Sequence, residues 1–446
     1  MDGDEIRRIV RETNYVTWRR QNGWEPLVIA RAEGSRFWDS AGKEYLDFSS
    51  QLIATNLGHG NARVAEAIAT QARTLAYAAP GFATEARARL STSLLEVLPK
   101  GLGRFFFSTS GTEANEAALK IARAVTGRSK VVARYRSYHG STAASISVTG
   151  EFRRRPIERL QKVPGTVFAP DCYCYRCPFG LAYPSCGVAC AEYVDYQLEH
   201  EGDVAAMIVE PVVGTNGVIV PVPEYLPRIR EITKKHDVLL IADEVMSGWG
   251  RVGEWFAVDR WHVTPDILTT AKGITGAQIP LGLTATTASV HDTFRETYFP
   301  HGHTYEAHPL TLAPGVAAIE EYRRLGLVEK SRKDGEYLLA RLKELAARHR
   351  SVGEVRGLGL FAAVELVKNR TTRTPFNTEE DKLAGRPLVV EQVTAAMMKE
   401  GVFCIGWVSH LVVAPPLIVT REELDHGLEV LDRALALADA RADPEG

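Results

Sequence analysis

Between residues 103 and 272 the chain returns five times to a short run that is apolar throughout: GRFFFSTS (103–110), KVVARY (130–135), AAMIVEPV (205–212), VLLIADEV (238–245) and DILTTAK (266–272). A strand with one wet face alternates apolar and polar residues, whereas an unbroken apolar run suits a strand covered on both faces, as in a parallel sheet. Segments with helical spacing, such as EANEAALKIARAV, lie between the runs. Strands and helices in alternation predict a doubly wound α/β domain with a mostly parallel sheet. After about residue 322 the pattern changes to a long amphipathic helix (SRKDGEYLLARLKELAARH), a strand pair near GEVRGLGLFAAVEL and a last helix, REELDHGLEVLDRALALADA. This predicts a smaller α+β domain. The first sixty residues, with RFWDSAGKEYLDF as a hairpin turning at Ser40–Lys43, are expected to pack with that domain or bridge to it. The expected organisation is an N-terminal segment 1–60, a large domain 61–322 and a small C-terminal domain 323–446.

Fifty-three Lys plus Arg against fifty-five Asp plus Glu leave a net charge of -2, so no strong field favours nucleic acid or an anionic membrane. A small-molecule partner is expected. The opening MDGDEIRRIV places acids before any apolar run and lacks the basic start and cleavage site of a signal peptide. The most apolar window, residues 204–223, contains Glu210, Asn216 and three prolines, unlike the roughly 20 uninterrupted apolar residues of a membrane helix. A cytoplasmic location is the expectation.

In open α/β sheets ligands bind at the carboxyl ends of the strands, and four polar groups fall there. In STSGTEANEAALK a strand ends at Ser108, and Gly111 leads into a helix near Thr112. Such a turn offers free N–H groups and a positive dipole to a phosphate, although Ser110 or Thr112 as a plain helix cap explains it equally well. In IADEV four apolar residues lead to Asp243 and Glu244, carboxylates that need a positive partner if buried. In TTAKG, Lys272 ends a strand; exposed it would be an ordinary surface lysine, and desolvated it is a candidate Schiff-base nucleophile. Tyr138 and His139 follow KVVARY, where an aromatic either packs in the core or carries a planar ligand. Taken together, phosphate turn, aromatic, acid and lysine meet the needs of pyridoxal 5'-phosphate.

Over essentially its whole length the sequence resembles the class III aminotransferases, pyridoxal-phosphate enzymes of fold type I. The stretches that carry the resemblance are RAEGSRFWDSAGKEYLDF, STSGTEANEAALKIAR, RYRSYHGST, VEPV, LLIADEVMSGWGRVGEWFA, AKGITG, HGHTYEAHP and APPLIVT. It implies that Lys272 forms the imine with the cofactor and moves the substrate's proton, and that Asp243 pairs with the ring nitrogen. Glu210 would support Asp243 or sit near the ring hydroxyl. Tyr138 and Val245 would cover the two ring faces with His139 close by, and Ser110, Gly111 and Thr112 would bind phosphate. Thr304 would reach the phosphate of the neighbouring subunit, making the enzyme an obligate homodimer.

The resemblance also implies an amine donor and a 2-oxo acid acceptor such as pyruvate, used in a ping-pong cycle. Departures from the family pattern bear on the donor. Ser141 stands where ornithine- and 4-aminobutyrate-type relatives carry arginine, and Ile405 where amine:pyruvate members carry a mobile one; Arg421 lies beyond the motif as a poor substitute. Ile53 replaces a tryptophan common in aryl-amine members. The opening segment and RYRSYHGST look most like the taurine:pyruvate and ω-amine branch. The same fold and lysine also serve amino-acid racemases and epimerases. A remote alternative is a metal- or redox-sensing binding protein using the cysteines of CYCYRCPFGLAYPSCGVAC, Cys172 to Cys190. That cluster is read first as a loop of free thiols, with a metal site or a disulfide as its alternatives. The histidines of HGHTYEAHP (His301, His303, His308) are read as part of a subunit-crossing loop and not as metal ligands, and the basic run 152–162 as a solvated helix start.

Overall fold

The computed structural model describes residues 1–160 and 162–444, and Gln161 of the basic run lies outside them. It builds the chain around three sheets. The first begins with β1 (Ile29–Glu33), β2 (Arg36–Asp39) and β3 (Glu44–Asp47) in an antiparallel meander. The expected hairpin joins β2 to β3. Asp39 Oδ1 accepts from the N–H groups of Ala41 and Lys43 (3.0 and 2.9 Å), and Gly42 supplies the left-handed residue at φ +84°.

The large sheet holds β4 (Leu102–Ser108), β5 (Lys130–Arg134), β6 (Thr166–Ala169), β7 (Val204–Val209), β8 (Leu239–Asp243), β9 (Ile267–Thr270) and β10 (Gly282–Thr287). Their order is β4-β10-β9-β8-β7-β5-β6. The block β6-β5-β7-β8-β9 is parallel, and β10 runs antiparallel to both of its neighbours. Every residue of β7 is buried, as its apolar run predicts. The runs do not announce β6 or β10. β10 reads GLTATT, polar in composition, yet Thr284 is fully buried because its hydroxyl donates to the Ala114 carbonyl at 2.8 Å.

The third sheet contains β11 (Val352–Gly357), β12 (Ala362–Asn369) with the short β13 (Thr374–Pro375) beside it, and, after β14 (Val402–Phe403), β15 (Ile405–Trp407) and β16 (His410–Val413). β14 leaves it to pair in parallel with β3, Val402 opposite Leu46 and Phe403 opposite Asp47. Backbone hydrogen bonds therefore tie the first sixty residues to the C-terminal part. The two long helices appear at Leu327–Arg348 and Arg421–Asp439, the second opened by a capping box between Thr420 and Glu423. One continuous hydrophobic core runs from Leu46 and Phe48 through the large sheet to Leu435. Among the described residues no helix is long and apolar enough to cross a membrane.

Candidate active site

The parallel strands all end at one edge of the large sheet, and the residues that follow them meet there. Ser110, Gly111 and Thr112 after β4, Tyr138 and His139 after β5, Glu210 after β7, Asp243 and Val245 at β8 and Lys272 after β9 line one cavity of about 160 Å³.

The helix Gly111–Thr126 starts at the cavity wall. Ser110 caps it by accepting from Glu113 N (3.2 Å), which leaves the N–H groups of Gly111 and Thr112, at the first two helical positions, without intrahelical acceptors. A Cβ on Gly111 would stand 2.9 Å from both methyl carbons of Val245, so only glycine brings helix and strand this close. Asp243 is held from three directions. Its Oδ2 accepts from Asn115 Nδ2 (2.7 Å) and lies 2.8 Å from His139 Nδ1, while Oδ1 accepts from the backbone of Val245 (3.1 Å). Asn115 is fixed in turn by donating to the His139 carbonyl (2.8 Å) and accepting from Thr269 Oγ1 (2.6 Å). Glu210 is buried and accepts from the N–H groups of Tyr138 (2.9 Å) and Gly214 (2.8 Å); burial pushes its carboxyl up from the ordinary value.

Lys272 adopts φ +48°, a left-handed conformation rare for a side chain with a Cβ and typical of strain stored at functional positions. The N–H of Ala277 donates to its carbonyl at 3.1 Å and helps hold it there. Burial draws its ammonium down to about 8, against the opposing charges of Asp243 and Glu210, and the side chain keeps part of its surface open where it lines the cavity. An amine with that affinity for its proton is a nucleophile near neutral pH.

A model of the family "Aminotransferase class-III" matches residues 18–435. The taurine–pyruvate aminotransferase of Bilophila wadsworthia is 33% identical, over 99% of each chain. The leucine/methionine racemase of Thermococcus litoralis is 35% identical over 93% of this chain and 91% of its own. Among solved structures, a taurine:2-oxoglutarate aminotransferase from Bifidobacterium kashiwanohense, in complex with PLP and glutamate, superposes with a TM-score of 0.93 at 35% identity over 99% of both chains. The chain is a class III aminotransferase.

Aminotransferases of this class use pyridoxal phosphate, and the cavity of this one fits it. Unclaimed N–H groups at a helix start suit a phosphate, a buried carboxylate with a free lone pair on Oδ1 suits a protonated ring nitrogen, and a desolvated lysine suits an imine.

Other expected residues lie elsewhere. Ile53 and Ile405, expected in the substrate pocket, are both packed into the main core and line no part of this cavity; Ile405 sits in β15, its N–H donating to Ser49 Oγ at 2.9 Å. Ser141 is exposed. Arg421 is engaged with the helix Leu327–Arg348, donating to Asp334 (2.8 Å) and lying 4.0 Å over the Tyr337 ring. Thr304 is exposed and outside the cavity of its own chain, its carbonyl accepting from Tyr77 (3.2 Å). His301 pairs with Lys120 (3.0 Å), and no group of three metal-binding side chains occurs among the described residues.

Two features escape sequence reading. Asn115 is the organiser of the Asp243 site, and its only signal is one amide on the otherwise Ala- and Leu-lined buried face of its helix. Arg153, in the run expected to be solvated, has a side chain only 11% exposed. Its guanidinium lies 4.0 Å over the Tyr138 ring and 5.3 Å from that of Trp18, with Nε bonded to Glu151 at 2.5 Å.

Proposed function

We propose that this aminotransferase takes the amino group from an ω-amino acid whose far end is anionic, a sulfonate or carboxylate as in taurine or β-alanine, and passes it to a 2-oxo acid such as pyruvate. Arg153 carries this assignment. It is a largely desolvated cation stacked on Tyr138, which lines the cavity, and its charge is among those that make Lys272 less basic. It supplies the positive charge that positions 141 and 405 lack. A guanidinium can grip a sulfonate or carboxylate through two N–H groups at once. Before substrate arrives its counter-ion is Glu151, buried two residues away, whose carboxyl burial pushes up to about 7. A substrate anion takes over that partnership.

The cofactor supplies the electron sink and carries the nitrogen between the two halves of the cycle. Lys272 holds the cofactor when no substrate is present and afterwards moves the proton of the donor's amine-bearing carbon. Asp243, pinned by Asn115 and His139, would pair with the ring nitrogen. Glu210, each of its oxygens accepting from a backbone N–H group, would support Asp243 or sit near the ring hydroxyl. Tyr138 and Val245 would cover the two ring faces and keep water out, and Ser110, Gly111 and Thr112 would hold the phosphate. Thr304, exposed and not lining its own cavity, would serve the phosphate of a partner in a cytoplasmic homodimer.

The similarity to a leucine/methionine racemase supports a second assignment, in which the proton returns to the α-carbon of an amino acid. Incubation with taurine or β-alanine plus pyruvate tests the first: alanine accumulates with the wild type and far more slowly with Arg153→Met. Equal rates in the two proteins would remove Arg153 from donor recognition, and racemisation of leucine without alanine formation would favour the second.

A further inference from the structure

A separate chemistry-bearing cluster lies outside the active site. Cys172, Cys174, Cys177, Cys186 and Cys190 line one small cavity of about 20 Å³ between the end of β6 and the helix Ala189–Glu201. All are free thiols, and Cys172 and Cys190 face the same small cavity from its two sides, the end of β6 and the helix. Among the described residues no three potential ligands are arranged to hold a metal ion.

The two thiols of this pair sit in unequal surroundings. Cys172 is 3% exposed and packs into the core, whereas Cys190 keeps part of its surface open in the first turn of its helix. The hydrogen bond from Cys172, the backbone N–H groups of Cys190 and Ala191 and the charge of Arg134 hold Cys190 below the usual thiol range. The bond to Cys190 and burial push Cys172 above it. Arg134 is itself 2% exposed with Nε unpartnered, a buried cation that gains from a neighbouring thiolate. A partly open thiol and a buried one on the same small cavity are the arrangement of an attacking and a resolving sulfur.

We propose that Cys190 and Cys172 are a redox-active pair that hydrogen peroxide converts to a disulfide and a thiol reductant reopens. The Cys190 thiolate attacks one peroxide oxygen, the O–O bond breaks, and the departing hydroxide takes up a proton as water, leaving a sulfenic acid on Cys190. The Cys172 sulfur then attacks the Cys190 sulfur; the S–O bond breaks, and the oxygen leaves as a second water with the Cys172 proton. Two thiols lose two electrons and one peroxide gains them. This pairing is more definite than a loop of free thiols, and it is independent of the donor assignment.

The test uses the cofactor-loaded enzyme. Thiols are alkylated and the peptides mapped by mass before peroxide, after it, and after dithiothreitol. The expected result is a peroxide-dependent link between the Cys172 and Cys190 peptides that the reductant removes, with alkylation of Cys190 about 10-fold or more faster than that of Cys172 in the reduced protein. Cys190→Ser should form no link while turnover without peroxide is unchanged, and Cys172→Ser should leave a trappable sulfenic acid on Cys190. A link between other cysteines, unchanged thiols after peroxide, or stoichiometric zinc held by the reduced enzyme would each overturn the proposal.

Discussion

Asp243 and Arg153 are both charged groups taken out of water beside the same cavity, yet they are held very differently. Asp243 receives donors from a helix, from the loop after β5 and from its own strand end, each fixed by the sheet or by a second hydrogen bond. Arg153 has one carboxylate partner, two residues along the chain, and is surrounded by three aromatic rings, Tyr138, Trp18 of the N-terminal segment and, farthest, Phe152. The first arrangement holds a charge still through a reaction. The second leaves a charge able to exchange one anion for another, as a recognition group must when donor and acceptor share a site.

Substitutions can break this contrast, beginning at its centre. Lys272→Ala should abolish the visible absorption of the imine-bound cofactor and lower turnover by about 10⁴-fold or more, checked by steady-state alanine production. Asp243→Asn should preserve cofactor binding and cost about 10³-fold in kcat, because the neutral amide no longer holds the ring nitrogen charged. Arg153→Met should fall between rim and core in effect: kcat/KM for taurine or β-alanine down by about 10²-fold, with a neutral primary amine nearly unaffected. A comparable loss for the neutral amine would show that Arg153 holds the site together and does not read the donor. Asn115→Ala should cost roughly 10-fold in kcat and about 1–3 kcal/mol of stability, since Thr269 loses its acceptor and Asp243 a donor.

A pH series sharpens the same contrast with a smaller effect. The rate at which cofactor-free protein takes up pyridoxal phosphate should rise with pH and level off above about 8, where Lys272 is neutral. Because the folded amine titrates near 8 and an exposed lysine near 10.5, the unfolded chain holds a proton between those values that the folded chain does not. The stability contributed by this group therefore increases as pH rises from about 8 to 10.5.

The strand-end residues were legible in the sequence because each sits where a fully apolar run stops, a position the sheet must deliver to its ligand edge. Lys272, Asp243 and Gly111 are of this kind. The parallel core was legible for the same reason, and β10 was not, since its threonines hide their hydroxyls in hydrogen bonds that only the folded chain reveals. Arg153 belongs with β10: three arginines beside a proline look solvated until the fold brings Tyr138 and Trp18 round Arg153 and turns Glu151 onto it. For Ile53 and Ile405 the family pattern gives a position without a direction; both side chains pack into the core, outside the cavity.

Single-turnover absorbance of the cofactor-loaded enzyme, with taurine, β-alanine and a neutral amine added one at a time without any 2-oxo acid, tests the central claim most directly. The account predicts that an anionic ω-amino donor converts the bound cofactor to its amine form, that pyruvate restores it, and that Arg153→Met loses this response to the anionic donors alone. No lasting conversion by any donor, together with exchange of an amino acid's α-proton with solvent, would contradict it.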